Sequence, residues 1–247
     1  MDAVLLQRLA QITEEERELL QGRGVDRALY ASGRAFEVDA AKMLEKGKLM
    51  SIRSHTRFAP FPRHSHNYVE IMYMCRGKTV HRIDGDALVT LEAGELLFLN
   101  RHASHAIQRA DAGDIAVNFI VLPQFFDEAF NMAGMDNVLS RFLLGELYTG
   151  GAAVSYLHFR VREVLPVQNL VENMVWTLVN RQPGARRINQ VTMGLLLLQL
   201  MHYTECIDMS RNGSIRSPMV EAALREIEEN YHAASLTDVA AAFHVGL

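Results

Sequence analysis

The segment 62–77, Pro-Arg-His-Ser-His-Asn-Tyr-Val-Glu-Ile-Met-Tyr-Met-Cys-Arg-Gly, constrains the fold more than any other stretch of this chain. It sets His64, His66 and Glu70 at one parity, leading into the apolar run 69–75. On an extended strand, residues two apart point to the same face. All three are therefore expected to converge on one interior. Imidazole nitrogens and a carboxylate suit Zn, Ni, Fe or Mn. A fourth donor would have to come from another strand, and His105 is the candidate. Met72 and Met74 share the parity of Glu70. They read either as adaptable core or as the floor of a ligand pocket. His81 reads as a barrel histidine satisfied by its neighbours or as a pocket-facing one. His102, His158 and His202 have no partner at a useful sequence spacing.

The surrounding texture is that of an all-β domain. Short apolar or alternating runs cover 69–75, 79–84, 87–91, 96–100, 105–109 and 115–122, with Gly- and Asp-containing turns between them. Evenly spaced short strands of this kind build a sandwich or barrel. Asp84-Gly85 is the sharpest hairpin signal. Before the barrel, 1–22 reads as helix, with a break at the capping box Thr13-x-x-Glu16. The stretch 25–48 reads as helix or irregular arm. After Pro123 the apolar period becomes helical over 125–133 and 138–144, and 155–164 looks like one more strand. A helix opens at Pro166, in keeping with a first helical turn, and ends at Gln182-Pro183-Gly184. A second helix runs over 188–207 and is apolar around more of its circumference than one core contact requires.

Composition excludes several classes. The chain of 247 residues is 49% hydrophobic with a net charge of −4, which argues against disorder and against a broad nucleic-acid-coating surface. Its two cysteines, Cys75 and Cys206, lie in apolar runs, as expected of buried free thiols in a reducing cytoplasm. The N-terminus lacks a basic start and a cleavage site. The longest apolar run, 193–201, is too short to span a bilayer. A cytoplasmic protein with no membrane partner is expected. No nucleotide-binding or serine-hydrolase fingerprint occurs.

The central segment resembles the cupin family. Its first motif ends H-x-H-x3-E-x6-G, which His64, His66, Glu70 and Gly77 match at every spacing. The second resembles Gly94-x5-Asn100-x-His102-x2-His105. The Gly and the final His match, Asn100 and His102 replace the usual Pro and second Gly, and Arg109 replaces the closing Asn. Together the motifs cover residues 60–110.

Near the other end, Ser235-Leu-Thr-Asp-Val-Ala-Ala-Ala-Phe-His-Val-Gly246 resembles the first helix and turn of an AraC/XylS-type helix-turn-helix, and 220–231 resembles the helix that leads into it. The fold class implied is mixed α and β: a cupin-type double-stranded β-helix barrel, an α-helical dimerisation region and the start of a helix-turn-helix. The divisions expected are an N-terminal helical arm 1–50, a sensor barrel 51–122, and a helical region 123–208 with one added strand near 155–164. A linker 209–217 and an incomplete DNA-binding domain 218–247 follow.

The resemblance implies a transcription regulator that responds to a small-molecule effector and is not an enzyme. DNA is expected as a partner of the full-length protein but not of this chain, because the recognition helix would come next. A homodimer is expected through helix 188–207. The implied ligand-binding residues are His64, His66, Glu70, Met72, His81 and His105. No cofactor is required, although His64, His66, Glu70 and His105 form a complete donor set for a divalent metal. The reading from another class is a metal-dependent cupin enzyme, a dioxygenase or isomerase, using those same four residues. Effector identity and the sign of regulation are not written in the sequence.

Overall fold

In a computed structural model, the described residues are 1–33, 35–135, 137–149, 152–203 and 206–209. The expected linker and helix-turn-helix, 209–217 and 218–247, lie outside them apart from Met209.

The arm begins with α1 (Ala3–Leu9) and α2 (Glu14–Leu20). The break between them falls where the capping box predicts it. The Thr13 side chain accepts from the Glu16 amide, and the Glu16 carboxylate accepts from the Thr13 amide. The stretch 25–48 proves mixed. It contains a 3-10 turn (Arg27–Leu29), a two-residue strand β1 (Glu37–Val38) and α3 (Ala40–Met43).

The barrel strands follow: β2 (Met50–Ser54), β3 (Phe61–His66), β4 (Val69–Arg76), β5 (Lys78–Ile83), β6 (Ala87–Glu92), β7 (Leu96–Leu99), β8 (Ser104–Ile107) and β9 (Ile115–Val121). Asp84 and Gly85 both adopt positive φ in the β5–β6 hairpin, as their sequence signal requires. A 3-10 turn (Pro123–Phe126) leads into α4 (Asp127–Ala133), and α5 (Val138–Leu144) is next. The hairpin of β10 (Tyr148–Thr149) and β11 (Ala152–Ala153), then β12 (Tyr156–Phe159), α6 (Leu165–Val179), α7 (Ala185–Met201) and β13 (Ile207–Met209) complete the described chain.

Two sheets form the barrel walls. The five-stranded sheet runs β1-β3-β8-β5-β6, and the six-stranded sheet runs β13-β12-β7-β4-β9-β2. The six-stranded sheet recruits β12 and β13 from well beyond residue 122. Alternation on β4 shows how the layers are built. Glu70, Met72 and Met74 face the barrel interior, where the two methionines pack against Ile83 and Leu91 of the opposite wall. Val69, Ile71 and Tyr73 face outward into a larger core shared with α1, α4, α5, α6 and α7. A strand buried on both faces reads as a nearly continuous apolar run, which is why the few polar residues in it stand out.

The helical layer is tied to the barrel by buried polar contacts. Tyr73 Oη lies 2.7 Å from Gln168 Oε1, and Gln168 Nε2 donates to the carbonyls of Gly94 (2.9 Å) and Val161 (2.8 Å). The two motif glycines have packing reasons. Gly77 sits at φ +80, and a Cβ there would lie 3.0 Å from the Asp114 Cα. Gly94 sits at φ +86, where a Cβ would lie 2.9 Å from the Arg162 Cα. Asn100, which stands where the motif expects Pro, has a role of its own. Its Nδ2 donates to the Phe142 (3.2 Å) and Val154 (2.8 Å) carbonyls, joining barrel to helices.

The helix expected over 188–207 is corrected. α7 ends at Met201, and Ile207–Met209 turns back as a strand paired with β12. Most of its apolar surface is also used within the chain, since Met193, Leu196, Leu197 and Leu200 are fully buried. Ile188, Val191 and Leu195 remain exposed, at 39%, 38% and 43%. Their three- and four-residue spacing makes one narrow stripe.

Candidate functional site

The expectation that His64, His66 and Glu70 share one extended strand does not hold. β3 ends at His66, Asn67 and Tyr68 turn the chain, and Glu70 lies on β4 in the other sheet. Convergence nevertheless occurs, because the two strands form opposing walls of one barrel. His105 is brought in by β8, where it pairs directly with His64 across the ladder.

His64, Glu70 and His105 each offer one donor atom, all within 4.8 Å of one another, and all three residues are buried. The His64 and His105 ring centroids lie 4.2 Å apart. His105 Nε2 is 3.3 Å from Glu70 Oε2. His66 is a looser fourth member: its Nε2 lies 3.8 Å from Glu70 Oε2, and it falls outside the mutually close trio. His81 is fully buried, its ring 6.0 Å from that of His105, and its Nε2 is 2.8 Å from Thr79 Oγ1. Met72 lies in the same interior, paired across strands with Asn118.

Backbone contacts fix how the histidines present themselves. His64 Nδ1 lies 2.9 Å from the Pro62 carbonyl, and His66 Nδ1 lies 2.8 Å from the Tyr68 carbonyl. A carbonyl can only accept, so each ring donates from Nδ1 and keeps its Nε2 lone pair free. Metal-ligating histidines are oriented in this way. Burial works against the protonated form throughout. It pushes His64 down to about 3 and lowers His55, His66 and His81 as well. Burial alone would raise Glu70, but the neighbouring His105, His66 and His64 outweigh it and hold the carboxyl well below its ordinary range. Burial thus favours the neutral imidazole at His64 and His66, beside a Glu70 held as carboxylate.

Sequence reasoning missed His55 and Asn118. Asn118 Nδ2 donates to Glu70 Oε1 at 2.8 Å, and Asn118 Oδ1 lies 3.3 Å from His55 Nδ1. Asn118 occupies an apolar strand, where an amide at the interior parity was the available signal. His158, without a partner at useful spacing, finds one 63 residues away: its Nε2 lies 2.9 Å from Glu95 Oε2. It belongs to the wall rather than to the cluster.

The cavity beside the trio holds only about 40 Å³. That is space for roughly three water-sized groups. Tyr30, Val38 and Met43 of the arm close one side, and Arg53 and His55 of the β2 region close another. Tyr30 donates to Glu15, whose carboxylate also pairs with Arg53 (2.9 Å), so the arm is latched over the opening.

A two-walled barrel of this strand order, with a donor cluster inside and helices packed outside, is a cupin-type domain. Residues 51–130 match the family described as the AraC-like ligand binding domain. That match spans 80 of the 247 residues and takes in the barrel strands β3 to β9.

Among solved structures, an apo single-residue variant of ToxT from Vibrio cholerae strain SCE256 is similar at 10% identity. The match covers 82% of this chain and 73% of that one, with a TM-score of 0.49. ToxT from Vibrio cholerae O395 is similar at 8% identity over 80% of this chain and 69% of that one, with a TM-score of 0.41. A cupin protein from Bacteroides fragilis matches at 28% identity over 30% of this chain and 64% of its own, with a TM-score of 0.25. No curated protein matches the chain. Among the described residues, no helix is long and apolar enough to cross a membrane.

Proposed function

We propose that this chain is the sensing and pairing portion of a DNA-binding transcription regulator whose effector is read inside the barrel. The observation that carries this is the set of buried polar atoms around the trio. His55 Nε2, His66 Nε2, His81 Nδ1 and His105 Nδ1 have no hydrogen-bond partner among the described residues, and Glu70 Oε2 and His105 Nε2 have only their mutual 3.3 Å contact. An unsatisfied buried polar group costs about 1–3 kcal/mol. Four wholly unpartnered atoms in one interior are a pattern of a binding site rather than of a structural core.

The signal would travel outward through β4. Glu70 faces the effector, while Ile71 and Tyr73 on the same strand pack into the helical layer. The exposed α7 stripe of Ile188, Val191 and Leu195 suits pairing with its own copy. The segment 218–247, by its resemblance to the start of a helix-turn-helix, supplies the link to DNA in this reading. The test is a thermal-shift screen of small polar metabolites on the wild type and on Glu70→Gln. Effectors should raise the Tm of the wild type and lose most of that effect in the variant.

The close donor trio supports a second reading, that the barrel holds a divalent metal. The residues present fit one: two imidazoles and a carboxylate are suitable ligands for a borderline metal, and His66 is near enough to assist. Such an ion would supply a positive centre for an anionic or carbonyl-bearing effector, or the Lewis acid of a cupin enzyme. Metal analysis of protein purified without a nickel column separates the readings. About one equivalent supports the metal, and less than about a tenth removes it.

A further inference from the structure

A larger groove lies outside the barrel. It occupies about 320 Å³ in the seam between β2, the end of the arm and the α6–α7 hairpin. That volume is at the lower end of the range of small-molecule sites. Its floor is apolar, formed by Met50, Ile52, Phe125 and Leu178. Its rim is cationic: Lys48, Arg181 and Arg186 line it, with Glu45 as the single carboxylate.

The charge pattern is locally unfavourable unless something offsets it. α7 opens at Gly184 with no side-chain cap and no acidic residue in its first turn, and Arg186 and Arg187 occupy that turn. A helix N-terminus favours anions and disfavours cations. Arg187 is answered by Glu128 at 2.5 Å. Arg181 meets Glu45 only at 3.8 Å with both side chains mostly exposed, a pair worth little. Arg186 has no ion-pair partner among the described residues. Asn189, 1% exposed, also lines the groove. Its Oδ1 accepts from Thr177 Oγ1 at 2.6 Å, which leaves its Nδ2 to donate.

We propose that this seam binds a small amphipathic carboxylate, with its acid group between Arg181, Arg186 and the start of α7 and its apolar body on the Phe125–Leu178 floor. The site is distinct from the barrel cluster and does not depend on the reading of that cluster. Its position gives it a consequence. An occupant would wedge between the barrel's β2 edge and the α6–α7 hairpin, the elements whose packing any signal must cross.

The test uses 4-phenylbutyrate as probe, with the neutral 4-phenylbutanol and the cationic 4-phenylbutylamine as shape-matched controls. Binding is read by isothermal titration calorimetry. The full chain should bind the acid saturably and at least tenfold tighter than the alcohol or amine. The double variant Arg181→Glu/Arg186→Glu should lose at least tenfold in affinity, while the surface variant Arg109→Glu should not change it. Both seam arginines are exposed, so these variants should keep the wild-type Tm, which is measured alongside. The proposal is overturned by non-saturable binding, by equal binding of the amine, or by an unchanged affinity in the folded double variant.

Discussion

The barrel cavity and the seam groove are built on opposite principles. The barrel interior is small, tight-walled and lined by imidazoles, an amide and one carboxylate that protein groups only partly satisfy. The seam groove is several times larger, apolar below and cationic at its rim. The first can discriminate by coordination and hydrogen bonding but admits almost nothing without movement of the latched arm. The second can admit a larger molecule but offers only charge and greasy area. Met43 lines both. Its C-terminal position on α3 makes it the partition between them, and a thioether is a pliable one.

The contrast between the cavities is most easily broken at the anchor of the arm. Arg57 and Glu16 form a buried ion pair, 2.7 Å at its closest, and Arg57 also donates to the carbonyls of Ala10, Gln11 and Ala112. Removing one partner of a buried pair strands the other charge. Arg57→Met should cost about 3–5 kcal/mol by denaturant melts. The same pair gives a pH signature. Burial raises the Glu16 carboxyl, but Arg57 and the Thr13 amide outweigh it, so its folded value lies below the ordinary one. A depressed carboxylate contributes stability that is present above its unfolded pKa and is lost as pH falls through the folded one. Acid titration of the Tm should therefore show a loss below about pH 4 that Glu16→Gln lacks.

Within the barrel, Met74→Ala removes a fully buried side chain and should cost about 2–5 kcal/mol. The seam lies outside that interior, so binding of 4-phenylbutyrate should survive the change. Gly94→Ala forces a left-handed backbone and a clash with Arg162, and should cost about 1–3 kcal/mol in Tm-derived stability. The smallest stability effect is at Leu195→Glu. It should change folding stability by no more than about 0.5 kcal/mol, yet, under the proposed pairing through α7, shift the mass distribution at micromolar concentration towards monomer. An unchanged dimer would remove α7 from the interface.

Local signals were legible in the sequence where the chemistry is local. The Thr13 capping box, the Asp84-Gly85 hairpin and α5 all fall where short-range rules put them. The donor set was legible too, although for a partly mistaken reason. Parity brought His64, His66 and Glu70 together on paper, whereas barrel closure brings them together in space, across a turn that parity does not encode. What escaped was long-range. Asn118 reaches Glu70 across 48 positions and Arg57 reaches Glu16 across 41, and neither has a sequence spacing that announces it. The end of α7 was overrun because an apolar tail looks alike in a helix and in a strand. Here β12 offered Ile207–Met209 an edge to pair with.

The central claim is that the barrel cluster, rather than the seam or the surface, reads the effector. The most direct measurement is the ligand-induced Tm shift of the wild type beside Glu70→Gln/His105→Ala, with divalent metals and small polar metabolites as titrants. The account predicts a concentration-dependent rise in the wild type that the double variant loses, while its response to 4-phenylbutyrate is retained. Equal shifts by the same polar titrants in both proteins would contradict it.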